Sequence, residues 1–170
     1  MATKLQFITS SSATAVETIS ITDCFSNSYD VYLIILDVFD VSSTYSNTAL
    51  RYRNSSGDIT SSTYDAAHQD LDSSTSFGEG SYTNNDRHEA IQISDDTRDG
   101  SSGILYIFNP FDSSSFTFHT MQNQGSNATE FRGRKGIGVE KTAQQITGIT
   151  FFSHSSGQSA SFQVTVYGVK

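Results

Sequence analysis

The sequence has no tryptophan, one cysteine and one proline, and only 16% of its residues are charged. A single cysteine excludes an intramolecular disulfide and a metal site built from cysteines, so the fold must depend on packing and hydrogen bonds. We expect Cys24 to be a small buried apolar residue. No apolar run approaches the ~20 residues of a membrane helix, and no signal peptide is recognisable. We therefore expect no membrane span and no export by a signal peptide.

Positive charge is scarce as well. The 10 Lys and Arg residues face 18 Asp and Glu residues, for a net charge of -8. A protein that binds nucleic acid without regard to sequence needs Lys and Arg to neutralise the phosphates, so we expect no nucleic-acid partner. We expect the remaining surface to consist chiefly of Ser, Thr, Asn and Gly rather than of charged residues, a composition more typical of an extracellular or virion surface than of a cytosolic enzyme.

What the chain does have is 12 Phe, 8 Tyr and a two-residue alternation of apolar and polar side chains, with no helical period. This pattern predicts an all-β protein, folded as one domain over residues 1–170, as a two-sheet antiparallel sandwich of the jelly-roll-like kind. About ten strands are predicted, within 5–8, 16–21, 30–39, 49–53, 59–67, 88–94, 103–109, 115–122, 130–139, 146–153 and 161–170.

Two segments stand out from the alternation. Residues 30–39 are almost continuously apolar, which predicts a strand at the centre of a sheet. Residues 69–87 contain few apolar side chains and predict one long exposed loop, a feature that is often functional. The predicted core comprises Val31, Leu33, Ile35, Phe39, Ile104, Tyr106, Phe116, Phe118, Phe151 and Val164.

The one basic cluster lies in Phe131-Arg-Gly-Arg-Lys-Gly-Ile-Gly138. It lacks the ending of a phosphate-binding loop, and no helix pattern follows it, so we expect no nucleotide. Two readings stay open: a strand with a solvated basic face, or an electrostatic contact with acidic residues of another copy, such as Asp95, Asp96 and Asp99. The residues predicted to contact a partner are Arg132, Arg134, Lys135, Gly78, Glu79, Tyr82, Asn84 and Asn85.

No catalytic or metal motif is convincing. The segment from Asp95 to Gly100 resembles a calcium loop, but Tyr106 occupies the twelfth position, where an EF-hand needs a carboxylate. A β-turn is favoured there, and a different type of calcium site stays open. The four histidines lack metal-ligand spacing, and no nucleophile elbow occurs. We therefore expect no enzymatic activity, no catalytic residue, no metal and no cofactor, although a carboxylate pair for glycoside hydrolysis would be invisible in sequence.

Some tyrosines could serve a binding role instead. Tyr29, Tyr45, Tyr64 and Tyr82 fall near predicted strand ends or loops. An aromatic ring there can stack on a sugar while its hydroxyl forms a hydrogen bond, although an edge tyrosine is more often a partly buried amphipathic residue. Binding of a host-surface glycan is therefore a second hypothesis.

Four segments carry a resemblance to a known group of proteins. They are Thr22-Asp-Cys-Phe-Ser-Asn-Ser-Tyr-Asp-Val-Tyr32, Tyr106-Ile-Phe-Asn-Pro110, Thr147-Gly-Ile-Thr-Phe151 and Val164-Thr-Val-Tyr-Gly-Val-Lys170. In their order along the chain they resemble virion structural proteins of tailed bacteriophages that infect marine and cyanobacterial hosts. The matching residues belong to turns and strands, so the resemblance bears on the fold more than on the task.

The resemblance implies an accessory structural protein of the phage particle, made in the host cytoplasm. A capsid-attached decoration protein is the favoured role, because the chain lacks the stalk or coiled coil of a tail fibre. The alternative is a tail fibre or knob adhesin that binds host-surface glycans. The expected partners are the major capsid or tail proteins and further copies of the same chain, since virion components are symmetric oligomers.

Overall fold

The computed structural model describes residues 4–42, 47–74, 77–92, 100–126 and 131–170, and these contain 13 strands and no helix. The described residues thus include no helix that is long and apolar enough to cross a membrane. The strands are β1 (Leu5–Val16), β2 (Thr18–Ile21), β3 (Val31–Phe39), β4 (Asn47–Asn54), β5 (Gly57–Asp58), β6 (Tyr64–Asp72), β7 (Phe77–Asn85), β8 (His88–Gln92), β9 (Ser101–Phe108), β10 (Thr117–Ser126), β11 (Phe131–Glu140), β12 (Gly148–Ser153) and β13 (Ala160–Val169).

The strands form a large sheet and a small sheet. The large sheet has the order β1-β13-β3-β9-β10-β11-β6-β7, and all its neighbours are antiparallel. The small sheet has the order β2-β12-β4-β5, and β8 pairs with the other end of β4. The chain crosses between the sheets repeatedly, as in jelly-roll-like folds. The predicted all-β, two-sheet antiparallel sandwich is confirmed.

The core lies between the two sheets and uses alternate residues of each strand. In the large sheet, Ile34 and Leu36 of β3 and Val164 of β13 are fully buried. They pack in one cluster with side chains of the small sheet, including Leu50 and Phe151. Val164 and Phe151 thus confirm part of the predicted core.

The predicted core was wrong about one face of the large sheet. The inner face carries the even-numbered residues of β3 and the odd-numbered residues of β9, and the outer face carries the others. Leu33 is buried and Val31 and Ile35 are partly buried by neighbours on the outer face. The remaining large side chains predicted for the core are exposed: Phe39, Ile104, Tyr106, Phe116 and Phe118. Both faces of β3 and β9 are apolar, so alternation cannot tell which face packs inward.

Cys24 is buried and unpaired, as predicted. Its thiol lies 3.7 Å from the carbonyl oxygen of Ile21. Burial raises the pKa of Cys24 to about 12, because the thiolate would lose its hydration. The residue therefore behaves as a small apolar side chain.

The predicted loop over residues 69–87 was also wrong, because residues 69–72 belong to β6 and residues 77–85 form β7, and the two strands pair in antiparallel fashion. A Cβ atom on Gly80 would lie 2.6 Å from Nε2 of His68, so the glycine gives room for a side chain of the neighbouring strand. The polar, glycine-rich composition reflects an edge strand that packs one face only. It does not indicate a loop.

A glycine of β11 also makes room for two buried histidine rings, those of His119 on β10 and His88 on β8. A Cβ atom on Gly138 would lie 2.4 Å from Cε1 of His119 and 2.7 Å from Cε1 of His88. Both histidines are buried, so neither ring can swing into solvent. The close approach of the rings to the β11 backbone therefore requires glycine at this position.

The variant Gly138→Ala should lower the free energy of unfolding by about 2 kcal/mol, because a methyl group would overlap two rings in a packed core. Gly78→Ala is the matched control, since its Cβ would lie 3.5 Å from Cβ of Asp70, an ordinary contact. Urea denaturation of both variants tests the idea. Equal stability of the two variants would contradict it.

Candidate binding surfaces of the large sheet

The predicted basic patch does not form, because alternate residues of β11 point to opposite faces. Arg132 and Arg134 lie on the inner face, and Lys135 lies on the outer face. The guanidinium of Arg132 forms an ion pair with Asp72 of β6, at 3.2 Å. The three residues were predicted as one contact site, and the pleat of the strand separates them.

Arg134 joins the two sheets. Its side chain is only 5% exposed, and its Nε and Nη2 donate hydrogen bonds to the two carboxylate oxygens of Asp70, at 2.7 and 3.2 Å. Its Nη1 donates to Oε2 of Glu89, at 3.1 Å. Asp70 belongs to β6 of the large sheet and Glu89 to β8 of the small sheet. Arg134 is therefore an internal tie between the sheets, which corrects its prediction as a partner contact.

The residues predicted on the supposed loop are mostly engaged within the chain. The hydroxyl of Tyr82 lies 3.0 Å from Nδ1 of His88 and accepts a hydrogen bond from the backbone N–H of Glu89. Asn84 accepts a hydrogen bond from Nζ of Lys141, and Asn85 accepts one from the backbone N–H of the next residue. The other two predicted residues are exposed on β7: Gly78 opposite Asp70, and Glu79 on the outer face.

A buried group of tyrosines and histidines fills the space beside Arg134. The hydroxyl of Tyr52 lies 3.0 Å from Nδ1 of His119, and the rings of His88 and His119 are 4.4 Å apart. Burial lowers the pKa of His119 to about 4, and it lowers the pKa of His88 well below its ordinary value, with help from His119. Both imidazoles are therefore neutral in the folded protein at pH 7.

A trough of about 860 Å³ crosses the outer face of the large sheet. One row of side chains across its five strands is mainly polar and comprises Glu79, Gln69, Lys135, Gln122 and Ile104. The next row is mainly apolar and comprises Ser81, Ala67, Ile137, Thr120 and Tyr106. The volume lies within the range of ligand sites, and polar groups stand beside apolar ones along the trough. Lys135 and Glu79 are the predicted contact residues that the structure places together.

Sequence reasoning missed most of this trough. Tyr106 was assigned to the core, although it is exposed, and Gln69 and Gln122 carried no recognised motif. The sequence signal for the trough was that both faces of β9 are apolar, although the core can use only one of them. The position of the small sheet is needed to tell which face remains exposed.

A second exposed surface lies beside the trough, where β6, β7 and β11 meet. Leu71 is 47% exposed, Phe77 81% and Phe131 57%, and all three point to the outer face. Leu71 pairs directly with Phe77, and Phe131 is two residues from the partner of Leu71. We call these three residues the apolar corner. Adjacent exposed side chains of this size are typical of interaction sites.

Several predicted features lie outside the described residues. They are Tyr45 and the acidic residues Asp95, Asp96 and Asp99. Of the other predicted sugar platforms, Tyr64 is fully buried, Tyr82 is engaged inside, and Tyr29 packs against the core. Within the described ranges, no group of three or more His, Cys, Asp or Glu residues is placed to hold a metal ion.

No family model and no curated protein matches the chain. Among solved structures, the chain is similar to the crystal structure of the marine PL-14 alginate lyase from Aplysia kurodai. The identity is 8% and the TM-score is 0.40, with 86% of this chain and 72% of the lyase chain covered.

The prediction that the chain is not an enzyme is corrected by this finding, because the similar structure is that of a lyase. At this identity and TM-score, the likeness transfers no substrate, reaction or catalytic residue. No reaction is assigned to the chain.

The variant Arg134→Met should lower the free energy of unfolding by about 2 kcal/mol, because it leaves two partly buried carboxylates without their cation. Lys135→Met is the control, since Lys135 is exposed on the other face, and its effect should stay below about 0.5 kcal/mol. Urea denaturation measures both values. A small effect of Arg134→Met would show that the tie between the sheets contributes little.

The buried histidines predict a loss of stability in mild acid. The pKa of His119 is about 4 in the folded protein against an ordinary value of 6.5, so below pH 6.5 the unfolded chain binds a proton that the folded protein does not. Its stabilising contribution is complete above pH 6.5 and is lost as the pH falls towards 4. From about pH 7.5 to about pH 5.5, His119 alone should account for a loss of about 1 kcal/mol.

Urea denaturation of the natural protein and of the variant His119→Gln at the two pH values tests this expectation, because it gives the free energy of unfolding of each protein. The variant cannot titrate at this position, so its loss between the two pH values should be smaller by about 1 kcal/mol. An unchanged pH dependence in the variant would refute the assignment to His119.

Proposed function

We propose that the protein is an accessory structural component of a tailed-phage virion, attached to the capsid by protein contacts. The observation that carries the proposal is the apolar corner, in which Leu71, Phe77 and Phe131 are exposed side by side on one face of a rigid sheet. Burial of such side chains against a partner supplies most of the affinity of a protein interface. The resemblance to phage structural proteins supports the location on the particle.

The position of the corner suits attachment. It lies at the β7 end of the large sheet, at the edge opposite to β1. The proposed occupant is another virion protein, the major capsid protein first and a tail protein second. Several copies would bind at symmetry-related positions of the shell.

The test is binding of the purified protein to capsids that lack it, followed by the variant Phe77→Ser. We expect saturable, symmetric occupancy by the natural protein and a loss of affinity of about tenfold or more in the variant, because Phe77 is the most exposed anchor. Phe7→Ser is the matched control, since Phe7 is an exposed phenylalanine at the opposite edge of the same sheet.

The proposal would be refuted if capsids bound neither the natural protein nor either variant. Equal binding of the natural protein, Phe77→Ser and Phe7→Ser would refute the role of the apolar corner. The Phe77→Ser variant should keep the denaturation midpoint of the natural protein, because Phe77 is 81% exposed. Phe7→Ser should lower the midpoint slightly, because the ring of Phe7 makes an edge contact with Tyr167.

A further inference from the structure

The trough on the outer face is a site separate from the apolar corner, and the two share no residue. It crosses β9, β10, β11, β6 and β7 at right angles to the strands. With neighbouring strands about 4.8 Å apart, the five strands give it a length of about 19 Å. A site of this shape is long enough for a few units of a chain polymer.

Its polar row is free to bind. The side chains of Gln69, Gln122 and Lys135 are exposed, and none of them forms a hydrogen bond or ion pair with the rest of the described chain. Each amide offers both a donor and an acceptor, which matches the hydroxyl groups of a sugar. Ser81 and Thr120 add hydroxyl groups in the neighbouring row.

The apolar row complements the polar one. Tyr106 of β9 and Ile137 of β11 are both exposed, and both pair with Thr120 of the strand between them, β10. A pyranose ring has an apolar C–H face and a polar rim of hydroxyl groups. A saccharide laid across the strands can place that face on Tyr106 and its hydroxyl groups against Gln122.

The backbone argues against an extended peptide as the occupant. β10, β11 and β6 are each hydrogen-bonded to a neighbour on both sides, so they have no free backbone groups to pair with a peptide. Over these three central strands, recognition must therefore come from side chains alone. That arrangement suits a ligand whose polar groups are hydroxyls rather than a strand of amides.

The charges argue against a polyanion. Lys135 and Glu79 are the charged side chains of the two rows, so the trough is nearly neutral, and the whole chain carries a net charge of -8. A polyanionic chain would be repelled at long range and would find one cation. We propose that the outer-face trough binds a segment of an uncharged polysaccharide, laid across the strands over Tyr106.

The experiment is affinity electrophoresis of the full chain in gels cast with soluble neutral polysaccharides, namely a β-glucan, a galactomannan and an α-glucan. A gel with alginate serves as the polyanionic comparison. The natural protein should be retarded in at least one neutral gel and not in alginate. Calorimetry with oligosaccharides of the retarding polymer then gives the dissociation constant.

The variants Tyr106→Ala and Gln122→Ala should each weaken binding by about fivefold to tenfold, because each removes one ring contact or one amide pair. Gln124→Ala is the matched control: Gln124 is exposed on the same face of β10 and lies outside the trough. It should bind as the natural protein does. Gln122 is exposed, so its variant keeps the test valid if Tyr106→Ala fails to fold.

Lack of retardation in every neutral gel would overturn the inference, as would retardation by alginate alone. Equal binding by Gln122→Ala and Gln124→Ala would overturn it too. The Phe77→Ser variant should bind polysaccharide normally, and Tyr106→Ala should bind capsids normally. The failure of one proposal is therefore distinguishable from the failure of the other.

Discussion

Among the described residues, eight strands of the large sheet face five strands of the small sheet, and this difference in width shapes the rest of the structure. The small sheet covers the apolar inner face of β3, β9 and β13, whereas towards β6 and β11 the inner face carries charged and polar groups. There Arg134 reaches from the large sheet to Glu89 of the small sheet. A buried guanidinium needs such partners, because an unpaired charge would lose its hydration without compensation.

The same mismatch explains the neutral histidines. His88 and His119 lie where the apolar core gives way to the polar tie, close enough to the β11 backbone that only glycine fits at position 138. Their rings fill volume that aliphatic side chains fill elsewhere in the core. Tyr52 binds one ring, and burial keeps both uncharged. Packing and protonation state are therefore linked at this point of the fold.

The outer face of the large sheet is left free by the part of the chain that the structure describes, since none of those residues forms a third layer over it. Its trough and its apolar corner differ in chemistry: one combines amides with a tyrosine, and the other is wholly apolar. The two proposed contacts, to a particle component and to a saccharide, together describe a protein that connects a virion to its surroundings. Both proposed contacts would rest on the rigidity of one hydrogen-bonded sheet.

The sequence by itself determined the class of fold, because period-two alternation and the lack of helical period are local properties of the chain. It also indicated the strand at 30–39 and the burial of Cys24, Phe151 and Val164. Tertiary structure decided which face of β9 is core, that residues 77–85 are a strand, and that Arg134 and Lys135 point apart. These outcomes depend on which strands pair and on where the second sheet lies, and a shift of one residue exchanges the faces without changing the pattern.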